Sequence, residues 1–139
     1  MKKLKDLDSK ALYDRNKGLV DMANTLDELS IPFMLSDGVL LGAVRDRAFI
    51  PWDWDVELSI KVEDIFDKSG VLLESLKQNG FILDRINLKW DNYKVNAYKY
   101  DTKYSLIGFY EEGQYRLRSA WKYPKDLSAT EIKGCSLIV

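Results

Sequence analysis

Residues 40–60 read "LLGAVRDRAFIPWDWDVELSI", and the second half of this stretch sets carboxylates and apolar side chains in strict alternation. Asp53, Asp55 and Glu57 are separated by Trp54 and Val56, with Trp52 before them and Leu58 after. Period-two alternation is the signature of a β-strand, whose successive side chains point to opposite faces. Residues 52–60 are therefore expected to form a strand with three acids on one face and Trp54, Val56 and Leu58 filling the other. Like charges this close repel, and burying one of them unpaired costs on the order of several kcal/mol. A solvated strand face relieves the conflict in one way and a bound divalent cation in another. Pro51 and Trp52 beside the acids, and the turn "SDGVLLGA" (36–43) ahead of them, favour the cation, because turn and strand are spaced so that they can face one another.

Composition limits what such a site can do. With 139 residues, 46% of them hydrophobic and 31% charged, the chain has the makeup of one globular domain with a real core. A formal net charge of -1 gives no basic excess of the kind a general nucleic-acid binder carries. The single cysteine, Cys135, can form neither an internal disulfide nor a zinc cluster, so a reducing compartment is the expectation. No stretch reaches the roughly 18 apolar residues of a membrane span, and "MKKLKDLDSK" lacks an apolar signal core, which points to a cytoplasmic protein with no transmembrane segment. The chain has no histidine. That removes Ser/His/Asp and Cys/His triads, His-ligated zinc and any imidazole base, leaving carboxylates, lysine and tyrosine for proton work and oxygen-loving Mg²⁺ or Mn²⁺ as the metals.

Helical spacing of Leu4, Leu7, Ala11, Leu12, Leu19, Met22, Ala23, Leu26 and Leu29 predicts helix over most of 4–29, with Gly18 a point where it divides. "FMLS" (33–36) reads as a short buried strand, Asp37 and Gly38 as a turn, and "VLLGAVRDR" (39–47) as a short helix. A further helix carries Val62, Ile65, Phe66, Leu72, Leu73 and Leu76 and stops at Gly80. Residues 81–90, 92–100, 103–110 and 114–121 alternate as strands, with turns at Asp91-Asn92, Asp101-Thr102 and Glu112-Gly113. The class is α+β, with a mixed or antiparallel sheet flanked by helices.

The segment "LSDGVLLGAVRDRAFIPWDWDVEL" (35–58) resembles the signature of the LicD/fukutin family of the nucleotidyltransferase-fold superfamily. That superfamily is marked by a hydrophobic-Gly-Gly/Ser turn followed, about a dozen residues on, by two acids separated by a hydrophobic residue. Leu35, Ser36 and Gly38 stand at the turn, Leu40, Leu41, Gly42 and Arg45 in the short helix, and Phe49, Ile50, Pro51 and Trp52 lead into the acids. The resemblance implies a nucleotidyltransferase-like sheet and Mg²⁺ held by Asp55 and Glu57 with help from Asp53. It also implies transfer of a phospho-alcohol group, phosphocholine or a polyol phosphate, from a CDP-activated donor to a glycan hydroxyl at the cell surface. Metal-bound carboxylates suit that chemistry because they neutralise the diphosphate and orient it for in-line attack.

Other positions take roles from their place in this frame. Ser36 and Gly38 would bring backbone N–H groups to a donor phosphate at a helix N-terminus. Arg45 offers a planar fork for phosphates, or pairs with Asp46. Asp37 stands where a small residue belongs, and an acid there is unfavourable for a phosphate unless it points away or meets the metal. Downstream, "YEEGQYRLRSAWKYPKDL" (110–127) also resembles a family segment, and Arg116 and Arg118 share a strand face from which they could meet an anionic donor or acceptor. The family's third carboxylate is expected on the strand "KYSLIGFYEEG" (103–113), where Ser105 and Gly108 occupy the plausible positions, while Asp101, Glu111 and Glu112 fall at expected turns. Two other functions remain open. One is a nucleotidyltransferase acting on a small molecule, and the other is a non-catalytic nucleotide-binding domain that lacks the third acid. Residues 1–139 are expected to form one minimal domain, either complete or lacking a C-terminal extension after "EIKGCSLIV" (131–139).

Overall fold

The computed structural model describes residues 8–50, 55–112 and 115–118. Helix α1 (Ser9–Glu28) begins where the Asp8 side chain accepts a hydrogen bond of 2.8 Å from the Ala11 N–H, satisfying one of the donors that a helix start leaves without a partner. It runs unbroken through Gly18, contrary to the expectation of a break. The glycine serves a close approach instead: a Cβ there would collide with the Tyr104 hydroxyl, which donates a buried 2.7 Å hydrogen bond to the Arg15 carbonyl. Met22 and Leu26, on the same side of the helix, are fully buried.

Strand β1 (Met34–Ser36) leads directly into α2 (Asp37–Asp46), and strand β2 (Asp55–Lys61) follows. The next helical stretch is divided into α3 (Val62–Ile65), a 3-10 turn (Phe66–Lys68) and α4 (Ser69–Gln78), with Gly80 beyond the end at φ 87°. Four strands complete the chain: β3 (Ile82–Lys89), β4 (Asn92–Lys99), β5 (Thr102–Glu112) and β6 (Tyr115–Arg118). The turn between β4 and β5 places Tyr100 and Asp101 at φ 51° and 58°, as the mirror-image hairpin turn requires. A bulge with Arg85 at φ 50° interrupts β3.

The sheet runs β1-β2-β5-β4-β3, and β6 pairs with β5. β2 and β5 are parallel and every other pair is antiparallel, so the sheet is mixed. Phe109 pairs with Lys61 of β2 on one side and Arg118 of β6 on the other, so β6 takes over the edge of β5 that β4 leaves after Ile107. This pairing carries β5 through Glu111 and Glu112, which the sequence reading placed at a turn. One sheet face is apolar. Val56, Leu58, Ile60, Tyr104, Leu106, Val95 and Ala97 form a single core with Met22 and Leu26 of α1 and Leu72 and Leu76 of α4. The opposite face carries Asp55, Glu57, Ser59 and Ser105 together with the buried Ile107 and Phe109. No helix among the described residues is long and apolar enough to cross a membrane.

Candidate functional site

β2 answers the question its acids pose. Val56 and Leu58 are fully buried on the core side, while Asp55 and Glu57 project from the other face and are half-buried. Trp52, Asp53 and Trp54 lie outside the described residues, as does the start of the strand expected at 52.

The register sets a polar row across the sheet. Glu57 lies directly opposite Ser36 of β1 and Ser105 of β5, and Ser105 lies opposite Asn96 of β4. The Ser105 hydroxyl donates a 2.9 Å hydrogen bond to Asn96 Oδ1, which fixes both small polar side chains in the buried centre of the sheet. Two residues along, Asp55 faces Lys103 of β5, and Lys103 Nζ stands 3.7 Å from Asp55 Oδ2. The two side chains are only 13% and 15% exposed, so this cation stabilises the strand's first described acid in a partly desolvated setting.

The turn from β1 into α2 brings a second set of groups to the same end. Ser36 is the N-cap of α2, with extended backbone at φ -140°, yet its side chain makes no capping bond. Its hydroxyl is buried without a partner, an arrangement in which a ligand oxygen or a cation would restore the missing bond. The left-handed residue of the turn is Asp37, at φ 54°, while Gly38 lies inside the first turn of α2 and has no positive φ. Aspartate tolerates this region better than most residues, and here its side chain is exposed. Gly42 has a different service. A Cβ there would collide with the Ala48 carbonyl, so the glycine lets the returning loop lie against α2 before Ile50 enters the core.

The remaining candidates lie apart from this cluster. Arg45 sits near the far end of α2 from Ser36 and holds Asp46 through two hydrogen bonds of 2.9 and 2.8 Å, which keep the Asp46 carboxyl below its usual range. Arg116 and Arg118 belong to β6, whose backbone pairs at Glu111 and Phe109, toward the Lys61 end of β2. Four strand residues, roughly 13 Å, separate Phe109 from Ser105. The position facing Glu57 on β5 is Ser105, so no carboxylate stands there. Glu111 instead lies 3.8 Å from Lys61, and Asp101 lies in a turn. Lys103 and Asn96 were not singled out by sequence reasoning. The alternation of residues 103–110, which places Lys103 and Ser105 on one strand face, is the only signal of the lysine in the sequence.

Among the described residues no group of three acids, cysteines or histidines stands close enough to hold a metal. A hard cation such as Mg²⁺ needs only one or two protein carboxylates, completing its shell with water and substrate phosphates. Asp55 and Glu57, with the unpartnered Ser36 hydroxyl beside Glu57, are an all-oxygen set that fits this requirement.

Residues 30–133 match the nucleotidyltransferase domain family LicD/FKTN/FKRP. Among similar proteins, the ribitol-5-phosphate transferase FKTN of Mus musculus is 31% identical over 117 residues, covering 78% of this chain and 24% of the relative. The human FKTN is 35% identical over 97 residues, covering 65% of this chain and 19% of the relative. The human ribitol 5-phosphate transferase FKRP is 32% identical over 72 residues, covering 50% and 14%. The chain thus spans about a quarter or less of the length of these relatives.

Proposed function

This chain belongs to the LicD/FKTN/FKRP nucleotidyltransferase-domain family, and from that premise we propose that it is a transferase of phospho-alcohol groups. In this reading it moves a polyol phosphate of the ribitol 5-phosphate kind, or phosphocholine, from a CDP-activated donor to a glycan hydroxyl. The observation that carries it is the placement of Asp55 and Glu57 on one face of β2, with Glu57 level with the unpartnered hydroxyl of Ser36 at the start of α2.

The residues divide the work by position. The N-terminus of α2 and the Ser36 hydroxyl receive a phosphate oxygen of the donor, aided by the positive end of the helix dipole. Asp55 and Glu57, with Asp53 as third acid, would hold Mg²⁺ or Mn²⁺, which when bound neutralises the diphosphate and stabilises the departing nucleotide. Lys103, 3.7 Å from Asp55, holds that side chain in place, and Ser105 with Asn96 leaves a neutral floor beneath Glu57. The proton of the attacking hydroxyl passes to a carboxylate of β2.

Release of CMP from CDP-ribitol in the presence of Mg²⁺ tests the proposal. Glu57→Gln should lower that rate by on the order of 10²–10³-fold, the scale of losing one preorganised electrostatic contact. Pyrophosphate release from CTP and a small-molecule acceptor, without CMP release from CDP-ribitol, would instead identify a nucleotidyltransferase. The serine opposite Glu57 favours one further reading, a nucleotide-binding domain without turnover. Tight CDP binding with no product from either donor would establish it.

A further inference from the structure

Lys103 stands on the strand from which a third carboxylate was expected. The parallel register sets Lys103 opposite Asp55 and Ser105 opposite Glu57, so β5 brings an ammonium and a hydroxyl to the face where a carboxylate would have added a metal ligand. Alternation puts both side chains on the site's face of β5, while Tyr104 between them is buried in the core. Ser105 commits its hydroxyl proton to Asn96 within the sheet. Lys103 is thus the donor of this row that a flexible four-carbon stem can carry to a ligand.

The contact with Asp55 has the geometry of a pair that can exchange. Lys103 Nζ lies 3.7 Å from Asp55 Oδ2, beyond the roughly 2.7–2.9 Å of a charge-assisted N–H···O bond, so charge holds the ammonium at this carboxylate without a directed bond. Both side chains are nearly enclosed, and salt and water screen the pair weakly. A divalent cation on the same carboxylate would bring a second positive charge close to Nζ, and the two would repel with little screening. Asp55 therefore favours one cation at a time. A diphosphate spanning β2 and the start of α2 lies within reach of the displaced ammonium, because adjacent strands are only about 4.8 Å apart.

We infer that Lys103 is an exchangeable counter-ion, which neutralises Asp55 until a divalent cation takes that carboxylate and then moves to a phosphate oxygen of the nucleotide donor. The identity of that donor rests on the transferase reading above. Metal and nucleotide both favour the arrangement in which Lys103 has left Asp55, so the lysine links the binding of one to the binding of the other.

Calorimetric titration of the full chain with Mg²⁺ alone, and with CDP at saturating Mg²⁺, compares the parent with Lys103→Met and Lys103→Arg. Lys103→Met keeps an unbranched stem and removes the charge, so it should bind Mg²⁺ alone about three- to tenfold more tightly, its competitor being gone. The same variant should bind CDP about tenfold or more weakly, the scale of one lost bond to a charged group. Opposite signs separate exchange from a structural role, since a lysine that only positions Asp55 would lower both affinities on removal. Lys103→Arg keeps the cation and should stay within about threefold of the parent for Mg²⁺. In the parent, the Lys103 side-chain NMR signals, assigned by their loss in Lys103→Arg, should shift on adding Mg²⁺ and again on adding CDP. That measurement decides the question if Lys103→Met does not fold. The inference fails if Lys103→Met binds Mg²⁺ no more tightly than the parent, if it binds CDP equally well, or if either addition leaves the Lys103 signals in place. A parent in which Mg²⁺ moves Lys103 but CDP does not bind overturns the donor reading and the transfer to phosphate with it. Tight CDP binding with a stationary Lys103 overturns the exchange alone.

Discussion

Asp55 and Lys103 show how one contact alters the meaning of a residue. From the alternating acids alone, Asp55→Asn is expected to leave the fold intact or slightly more stable, because it relieves repulsion. With Lys103 at 3.7 Å and only 15% exposed, the same change removes a negative charge from beside a half-desolvated ammonium. We expect Asp55→Asn to abolish the response to divalent cations and also to destabilise the fold by about 1–3 kcal/mol, measured by urea denaturation. A variant as stable as the parent would show that the ion pair carries no net stability. The acids themselves were legible, since period-two alternation needs no knowledge of neighbours. Lys103 was not, because its partner is fixed by the parallel register of β2 on β5, which joins residues almost fifty positions apart. The left-handed turn residue was likewise hidden, as glycine's freedom drew attention to Gly38 while the backbone uses Asp37.

At the scale of elements, the helices follow their hydrophobic spacing and the hairpins follow their turn residues. The exceptions have local causes. Gly18 looks like a break because glycine is a poor helix former. It is retained inside α1 because only a residue without a Cβ lets the helix meet Tyr104. Gly18→Ala, which raises intrinsic helix propensity, should therefore destabilise the protein by about 1–3 kcal/mol through overpacking. Combining it with Tyr104→Phe, which removes the colliding hydroxyl, should recover part of that loss in a double-mutant cycle. Additive losses would mean the two groups do not meet. At α2, Gly42→Ala should displace the loop at 48–50, since the added methyl meets backbone that has no rotamer to yield. Urea denaturation with loss of protection at the Ala48 amide, which donates to the Gly42 carbonyl, is the check.

For the whole molecule, the sequence specified the class and the parts while leaving their order open. Adjacent strands in the chain suggest a run of hairpins, and β3, β4 and β5 obey it. The insertion of β5 between β2 and β4 is a non-local pairing that no local pattern encodes, and it creates the polar row through Glu57. The core gives the molecule an alkaline limit. Burial pushes the hydroxyls of Tyr93 and Tyr104 above their ordinary value of 10.0, the latter more strongly. Above about pH 10 the unfolded chain releases these protons and the native chain holds them, so ν_U − ν_N is negative and stability falls as pH rises. Below that pH the two tyrosines add no slope. Tyr104→Phe should flatten the decline seen in urea midpoints between pH 9 and 11, on the order of one pH unit either side of the tyrosine range. An unchanged slope would assign the decline to other groups.

The central claim is that Asp55 and Glu57 make a cation-dependent site for a CDP-activated donor. Calorimetric titration of the chain with CDP-ribitol, with and without Mg²⁺ and alongside Glu57→Gln, tests it most directly. The account predicts binding with Mg²⁺ that weakens by about tenfold or more when either the cation or the Glu57 carboxylate is removed. Equal affinity in all three titrations, or no binding in any of them, would contradict it.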